Sequence, residues 1–498
     1  MTEVKHWIDG AETTGTGGST QPVVDPATGQ EIATLHLGTP DTVDQAVAVA
    51  ARAQKEWAQV SLAKRTQILY RMRQLLIEAT DEIAQVISRE HGKTVADAAG
   101  EVARGLETLE FATSITQDLK GGFSANVSTG VDAHTVRQPL GVVAGITPFN
   151  FPAMVPFWMH PIAIATGNAF ILKPSERDPS ASTVVARLYQ EAGLPDGVFQ
   201  VVNGGPDVVD ALCAHPGISA VSFVGSTPIA KHVHEAASRT GKRVQALGGA
   251  NNHAVVMPGT NVASAASAIA SGAFGSAGER CMAVPVAVTV GDVHDEFVAA
   301  VQAEAEKLVV GPGDAQDTDM GPVITPDARD RVIRMVDEAE QAGARIVVDG
   351  RGLVVPGHEQ GNFVGPTVIT DLDRSHPTYT EEVFGPVLVV MHVENFDEAV
   401  ELVNSSPFGN GTAIFTDSGH YARRYQEEVQ VGMIGINVPI PTPVGYYSFG
   451  GWKDSLFGEH HAHGPEGLSF YTRQKAITTR FPQQDEHLET SMSFPTHD

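Results

Sequence analysis

The chain has 498 residues, enough for two or three domains with sizeable cores, and its formal net charge of −26 speaks against nucleic acid and anionic membrane as partners. Only two cysteines occur, Cys213 and Cys281, which excludes a disulfide scaffold and suits a reducing cytoplasm. The start "MTEVKHWIDG" has neither a secretory nor an arginine-rich presequence pattern, and no apolar run reaches the ~18 residues of a membrane helix.

Residues 6–38 read as short strands with Gly, Thr and Asp-Pro turns. From Thr39 to about Leu119 the apolar spacing is helical, with Thr39-Pro40-Asp41 and Ser61 as helix starts. Residues 121–140 return to extended structure. Short apolar runs then alternate with helices: "GVVAGI", "AFILK", "GVFQVV", "ISAVSFV" and "KRVQAL" as strands, with "WMHPIAIATGN", "SASTVVARLYQEAG", "PDVVDALCAHP" and "PIAKHVHEAASRTG" as helices between them. This is the signature of a parallel sheet covered on both faces, which binds ligands at the carboxyl ends of its strands. A second α/β series begins near Asn251 and includes "ARIVVDG", "FVGPTVIT", "EEVFGPVLVVMHV" and "TAIFTD"; "GLSFYTRQKAITTRF" closes the chain as a tail strand.

"FGSAGERCMAVPV" (274–286) sets Cys281 between a Gly/Ala-rich approach and a strand-like run, with Arg280 beside it. A cysteine in apolar surroundings is often an inert small hydrophobe, and Cys213 in "VVDALCAHP" fits that description. Cys281 differs, because small residues let the backbone approach a ligand and an adjacent cation favours a thiolate. The segment alone leaves both readings open. "GITPFNFP" (145–152) puts Asn150 between two prolines, as a turn residue or as an amide donor aimed at an oxyanion. "ILKPSE" (171–176) ends a strand with Lys173, Ser175 and Glu176. These form a surface pair, or else bind a cofactor ribose, with the acid repelling a 2′-phosphate and favouring NAD over NADP; Arg177 follows and softens that preference. "FVGSTPIA" (223–230) is a strand, a Gly-Ser turn and a helix start whose free amides suit a pyrophosphate near Ser226, although the G-x-G-x-x-G fingerprint is absent. "EHHAHG" (459–464) reads as an exposed loop, and no metal is expected.

In order, "PFNFP", "LKPSE", "FVGST", "LGG", "GERC", "EEVFGP" and "FGGWKDSLFG" resemble the aldehyde dehydrogenase superfamily over essentially the whole chain. The resemblance implies Cys281 as nucleophile, with Asn150 and the Cys281 backbone amide as oxyanion donors. It implies NAD held by Thr147, Phe149, Lys173, Glu176, Arg177, Ser226, Glu382 and Phe384. It also implies two doubly wound α/β domains, one for the nucleotide (1–120 and 140–249) and one catalytic (250–440). A β extension for oligomerisation (121–139 and 465–498) would complete a homotetramer or homodimer.

One position departs from the hydrolytic members, which carry a Glu before L-G-G as the base for the deacylating water. Here that position is Ala246, which cannot take a proton. Together with "NHAVVMP" and "GERCMA", this resembles the CoA-acylating branch that acts on methylmalonate semialdehyde, whose carboxylate-binding arginines match Arg104 and Arg280. The resemblance therefore implies oxidation of methylmalonate or malonate semialdehyde with NAD, loss of CO2, and release of propanoyl-CoA or acetyl-CoA from a Cys281 thioester. Arg280 would hold the substrate carboxylate and help to ionise the thiol. The alternatives are a hydrolytic semialdehyde dehydrogenase that uses another base, and a non-catalytic binding protein on the same scaffold.

Overall fold

The computed structural model describes residues 2–481. Its first large sheet is built around five parallel strands in the order Arg243–Leu247, Ile218–Val224, Val142–Ile146, Ala169–Lys173 and Phe199–Val201. The Val142–Ile146 and Ala169–Lys173 strands are buried along their whole length, which explains their unbroken apolar sequence. Between them runs the Met154–Ala165 helix, apolar on every side and buried at every residue. Antiparallel strands close the two edges, Leu456–Phe457 on one side and His6–Ile8 with Ala11–Thr13 on the other.

The second sheet has seven strands, of which all but the antiparallel edge Arg345–Val348 run parallel. Its centre is His253–Val256, Val286–Val290 and Val387–Val393. Helices cover both faces of each sheet and enclose separate apolar cores. The fold is therefore α/β with two doubly wound, mostly parallel sheets. A third, antiparallel sheet joins Phe123–Ser128, Val131–Pro139 and Thr472–Arg480. No helix among the described residues is long and apolar enough to cross a membrane.

The helix starts read at Thr39 and Ser61 are found at those residues: Thr39 caps Pro40–Trp57, and the Ser61 side chain accepts from the Lys64 amide at the head of Leu62–Glu78. The tail differs from its sequence reading. Residues 464–471 form a helix, and the strand begins only at Thr472. Pro465 starts that helix, and Leu468, Phe470 and Tyr471 bury its apolar side. Arg243 holds the junction, donating to the carbonyls of Ser469, Phe470 and Thr472 at 2.8, 2.6 and 2.8 Å. The part of the tail beyond residue 481 lies outside the described residues.

Candidate active site

Cys281 stands on a turn between the Val262–Phe274 helix and the Val286–Val290 strand; Pro285 delays the strand. Its approach is tightly folded. Ser276 and Ala277 both adopt left-handed backbone (φ 53° and 52°), and a Cβ on Gly278 would meet the Gly385 carbonyl oxygen at 2.1 Å. A Cβ on Gly275 would lie 2.6 Å from Arg280 Nη1. The small residues before the cysteine thus make room for backbone and for the Arg280 guanidinium, rather than opening the chain to a ligand. The Cys281 carbonyl is fixed by two asparagines, accepting from Asn252 Nδ2 at 2.9 Å and Asn410 Nδ2 at 3.1 Å.

Two cavities meet at Cys281. One, of about 290 Å3, is lined by Phe149, Asn150, Ser226, Gly249, Glu382 and Phe384 among others. Its floor is the carboxyl edge of the first sheet, and its glycines matter: a Cβ on Gly249 would come 2.6 Å from Glu382 Oε2. Glu382 Oε1 accepts from the Ala250 amide at 3.1 Å, and Arg331 donates to the Glu382 and Val383 carbonyls. Phe384, itself left-handed at φ 52°, sets its ring edge-on to Phe149 with centroids 5.8 Å apart. The Thr227–Arg239 helix begins at this mouth behind exposed Ser226, whose side chain makes no capping bond.

Lys173 and Glu176 are not among the residues lining this cavity. They pair at 3.0 Å at the end of the neighbouring Ala169–Lys173 strand. Buried Thr147 is beside them, its amide donating to the Lys173 carbonyl at 3.1 Å, and its hydroxyl has no partner among the described residues. Arg177 is exposed. Burial opposes the charge on Glu176, but Lys173 outweighs it and holds the carboxyl below its ordinary value.

The other cavity, about 450 Å3, is lined by Arg104, Arg280, Trp158, Met282 and Phe449, with Asp97 at its wall. Both arginines are engaged. Arg280 Nη2 donates to Asp97 Oδ1 at 2.6 Å. Arg104 donates to Glu107 at 2.8 and 3.0 Å and to the carbonyls of Thr442 and Pro443 at 3.1 and 2.8 Å.

Arg280 does not bring the Cys281 thiol into the thiolate range. Burial, then the Glu382 carboxylate, pushes the thiol up to about 12, against weaker help from the backbone amides of Cys281 and Met282 and from Arg280. The cation expected to ionise the cysteine is spent on Asp97. Glu382 is itself raised to about 7 by burial.

Position 246 is the penultimate residue of the Arg243–Leu247 strand, one strand in from the sheet edge. Ala246 is fully buried, paired with Phe223 and Phe457 across its neighbours, and lines neither cavity. The histidine cluster differs from its sequence reading: His463 is buried against Trp158 and Phe449, with centroids 5.6 and 6.4 Å away, so the segment is not simply an exposed loop. Among the described residues no group of three or more His, Cys, Asp or Glu side chains could hold a metal ion.

Two buried residues that support the site were missed in the sequence. Lys93 Nζ donates to the Asn150 carbonyl at 2.6 Å and pairs with Glu101 at 2.5 Å, both side chains being almost wholly inaccessible. Glu101 Oε1 in turn accepts from the Ala153 and Met154 amides at 2.9 and 3.2 Å, capping the central helix. "EHGKT" carries no local signal of this, because the partners lie 8 and 57 residues further along the chain.

The sequence profile of the aldehyde dehydrogenase family matches residues 13–477, and the chain belongs to that family. A curated malonate-semialdehyde dehydrogenase of Pseudomonas aeruginosa is 49% identical over 100% of both chains. The solved methylmalonate-semialdehyde dehydrogenase of Oceanimonas doudoroffii is 50% identical, with a TM-score of 0.96 over 97% of this chain and 99% of its own. A Sinorhizobium meliloti structure assigned to the same activity and complexed with NAD is 45% identical, with a TM-score of 0.96 over 97% of this chain and 99% of that one.

Proposed function

We propose that the chain is an NAD-dependent, CoA-acylating dehydrogenase of malonate and methylmalonate semialdehyde, working through a thioester on Cys281. The observation that carries the reading is that Cys281 lines both cavities, one walled by glycines and Glu382, the other by Arg104 and Arg280. The names of the relatives above support the substrate.

The glycine-walled cavity suits a dinucleotide. Ser226 and the open amides behind it would take the pyrophosphate, Lys173 and Glu176 the adenosine ribose, and Glu382 the nicotinamide ribose, with Phe149, Phe384, Thr147 and Arg177 around them. Bound NAD supplies the hydride acceptor and a cationic ring.

The chain's own part begins with the thiol. Its ionisation must overcome burial and the Glu382 charge; engaging Glu382 with ribose hydroxyls relieves the second. The Cys281 sulfur then attacks the aldehyde carbon, and the Asn150 amide and the Cys281 backbone N–H stabilise the oxyanion. After the carbonyl reforms with loss of hydride, the thioester carries a β-carboxylate. Loss of CO2 leaves an enolate, which the same donors stabilise until carbon is protonated. A CoA thiol attacks that carbonyl, its proton is lost to solvent, and Cys281 leaves. Water is a poor substitute, because Ala246 provides no base where hydrolytic relatives carry one.

The division into 1–120 with 140–249, 250–440, and 121–139 with 465–498, a homotetrameric or homodimeric assembly through the antiparallel sheet, and a cytoplasmic location complete the proposal. The experiment is a pre-steady-state assay with malonate semialdehyde. Without CoA, NADH should appear as a burst of about one per site followed by slow turnover; with CoA, turnover should continue and yield acetyl-CoA. Fast sustained turnover without CoA, releasing free acid, would favour the hydrolytic alternative.

A further inference from the structure

The arginine beside the nucleophile is already half neutralised by the protein's own carboxylate. Asp97, in the first turn of the Val95–Ser114 helix, takes one guanidinium N–H of Arg280 at 2.6 Å. Burial opposes its charge, yet Arg280 and Lys93 outweigh that and hold the Asp97 carboxyl below its ordinary range. The pair is incompletely satisfied. Arg280 Nε and Asp97 Oδ2 are both buried without a hydrogen-bond partner among the described residues. Such a buried, unanswered donor costs free energy unless something else fills it. Arg104 differs, since its donors are answered by Glu107 and two carbonyls.

We propose that Asp97 is a specificity-determining residue that shares the Arg280 guanidinium with the substrate carboxylate. This rests on the reading of Arg280 as the carboxylate anchor. Arg280 lines the cavity, and the guanidinium N–H groups that Asp97 leaves free donate to an incoming carboxylate there, while Asp97 keeps its grip on Nη2. Two carboxylates then divide one positive charge, so the substrate anion is held in place but not strongly. A weak grip suits a group that must leave as neutral CO2: an arginine devoted to the carboxylate would stabilise the charged ground state and not the transition state in which that charge passes into the enolate.

The test compares malonate semialdehyde with propanal, its neutral counterpart of equal chain length, in the full-length enzyme with NAD and CoA. Asp97→Asn keeps the acceptor oxygen and the shape but removes the charge. It should lower KM for the acid about tenfold relative to KM for propanal, a change set by one charge near the anion. Malonate, which has no aldehyde to react, should bind about tenfold more tightly to the variant by calorimetry. Asp97→Glu, which keeps the charge, should stay within about twofold of wild type in both measurements. In an Arg280→Gln background Asp97→Asn should have no such effect, because the interaction it modifies is gone. An unchanged KM ratio with unchanged malonate affinity, or the same gain in the Arg280→Gln background, overturns the role of Asp97 alone. A wild type that does not prefer the acid over propanal overturns the carboxylate-anchor reading itself, and Asp97 falls with it.

Discussion

At Cys281 two fields oppose the thiolate and two weaker ones favour it. Burial comes first and the Glu382 carboxylate second; the local amides and Arg280 do not compensate, and the thiol is pushed up to about 12. Without cofactor, its alkylation by iodoacetamide should therefore rise about tenfold per pH unit between about pH 7 and 9, with no levelling. Glu382→Gln should speed the reaction at a fixed pH by removing the second cause. A plateau near neutrality would show that Arg280 controls the thiol after all. Cys281→Ala should abolish NADH formation, whereas Cys213→Ala should not, since Cys213 lies fully buried in a separate apolar core. The candidate site residues could be picked out at this scale because each sits in its own short motif. What those groups touch was not legible. Arg280 and Asp97 are 183 residues apart in sequence, and only the fold shows that the cation beside the cysteine is already paired.

The elements carry the site through their ends. The Val95–Ser114 helix presents Glu101 to the first amides of the Met154–Ala165 helix, and Lys93, just before it, ties the Asn150 loop to the same carboxylate. Removing one partner of a buried pair strands the other, at a cost of roughly 3–5 kcal/mol. Lys93→Met should therefore lower stability and also lower kcat, because the Asn150 carbonyl loses its tether; the double variant Lys93→Met/Glu101→Gln should recover much of the stability but not the rate. Thermal unfolding and steady-state kinetics on the three proteins check this, and full recovery of kcat in the double variant would reduce Lys93 to a purely structural role. Strand and helix alternation was legible from periodicity, since parallel strands buried on both faces read as short unbroken apolar runs. The "GLSFY" stretch misled the reading because a short apolar run has no period of its own, and burial of Leu468, Phe470 and Tyr471 decided it as helix.

Across the whole molecule, buried ionisable groups set the pH range of stability. Burial pushes Glu279 up to about 8 and Glu90 up to about 7, from an ordinary 4.5, and raises Asp178 well above its usual range. The folded state then binds protons that the unfolded state has released, so this contribution is present at low pH and is lost as pH rises to about 8. Buried histidines act in the opposite direction. His6 and His253 are pushed down to about 4 and His463 to about 3, so below 6.5 the unfolded chain gains protons that the fold cannot accept, and stability falls with acid. Between 4.5 and 6.5 the two sets oppose each other; above 6.5 only the acids act. Thermal stability should therefore peak near about pH 6 and decline towards 8. Glu279→Gln keeps an acceptor for the Ile324 amide, bonded at 3.3 and 3.2 Å, and removes the titration. Its melting temperature should fall less than that of the wild type between pH 6.5 and 8, and equal alkaline losses in the two proteins would mean that Glu279 enters the fold already ionised.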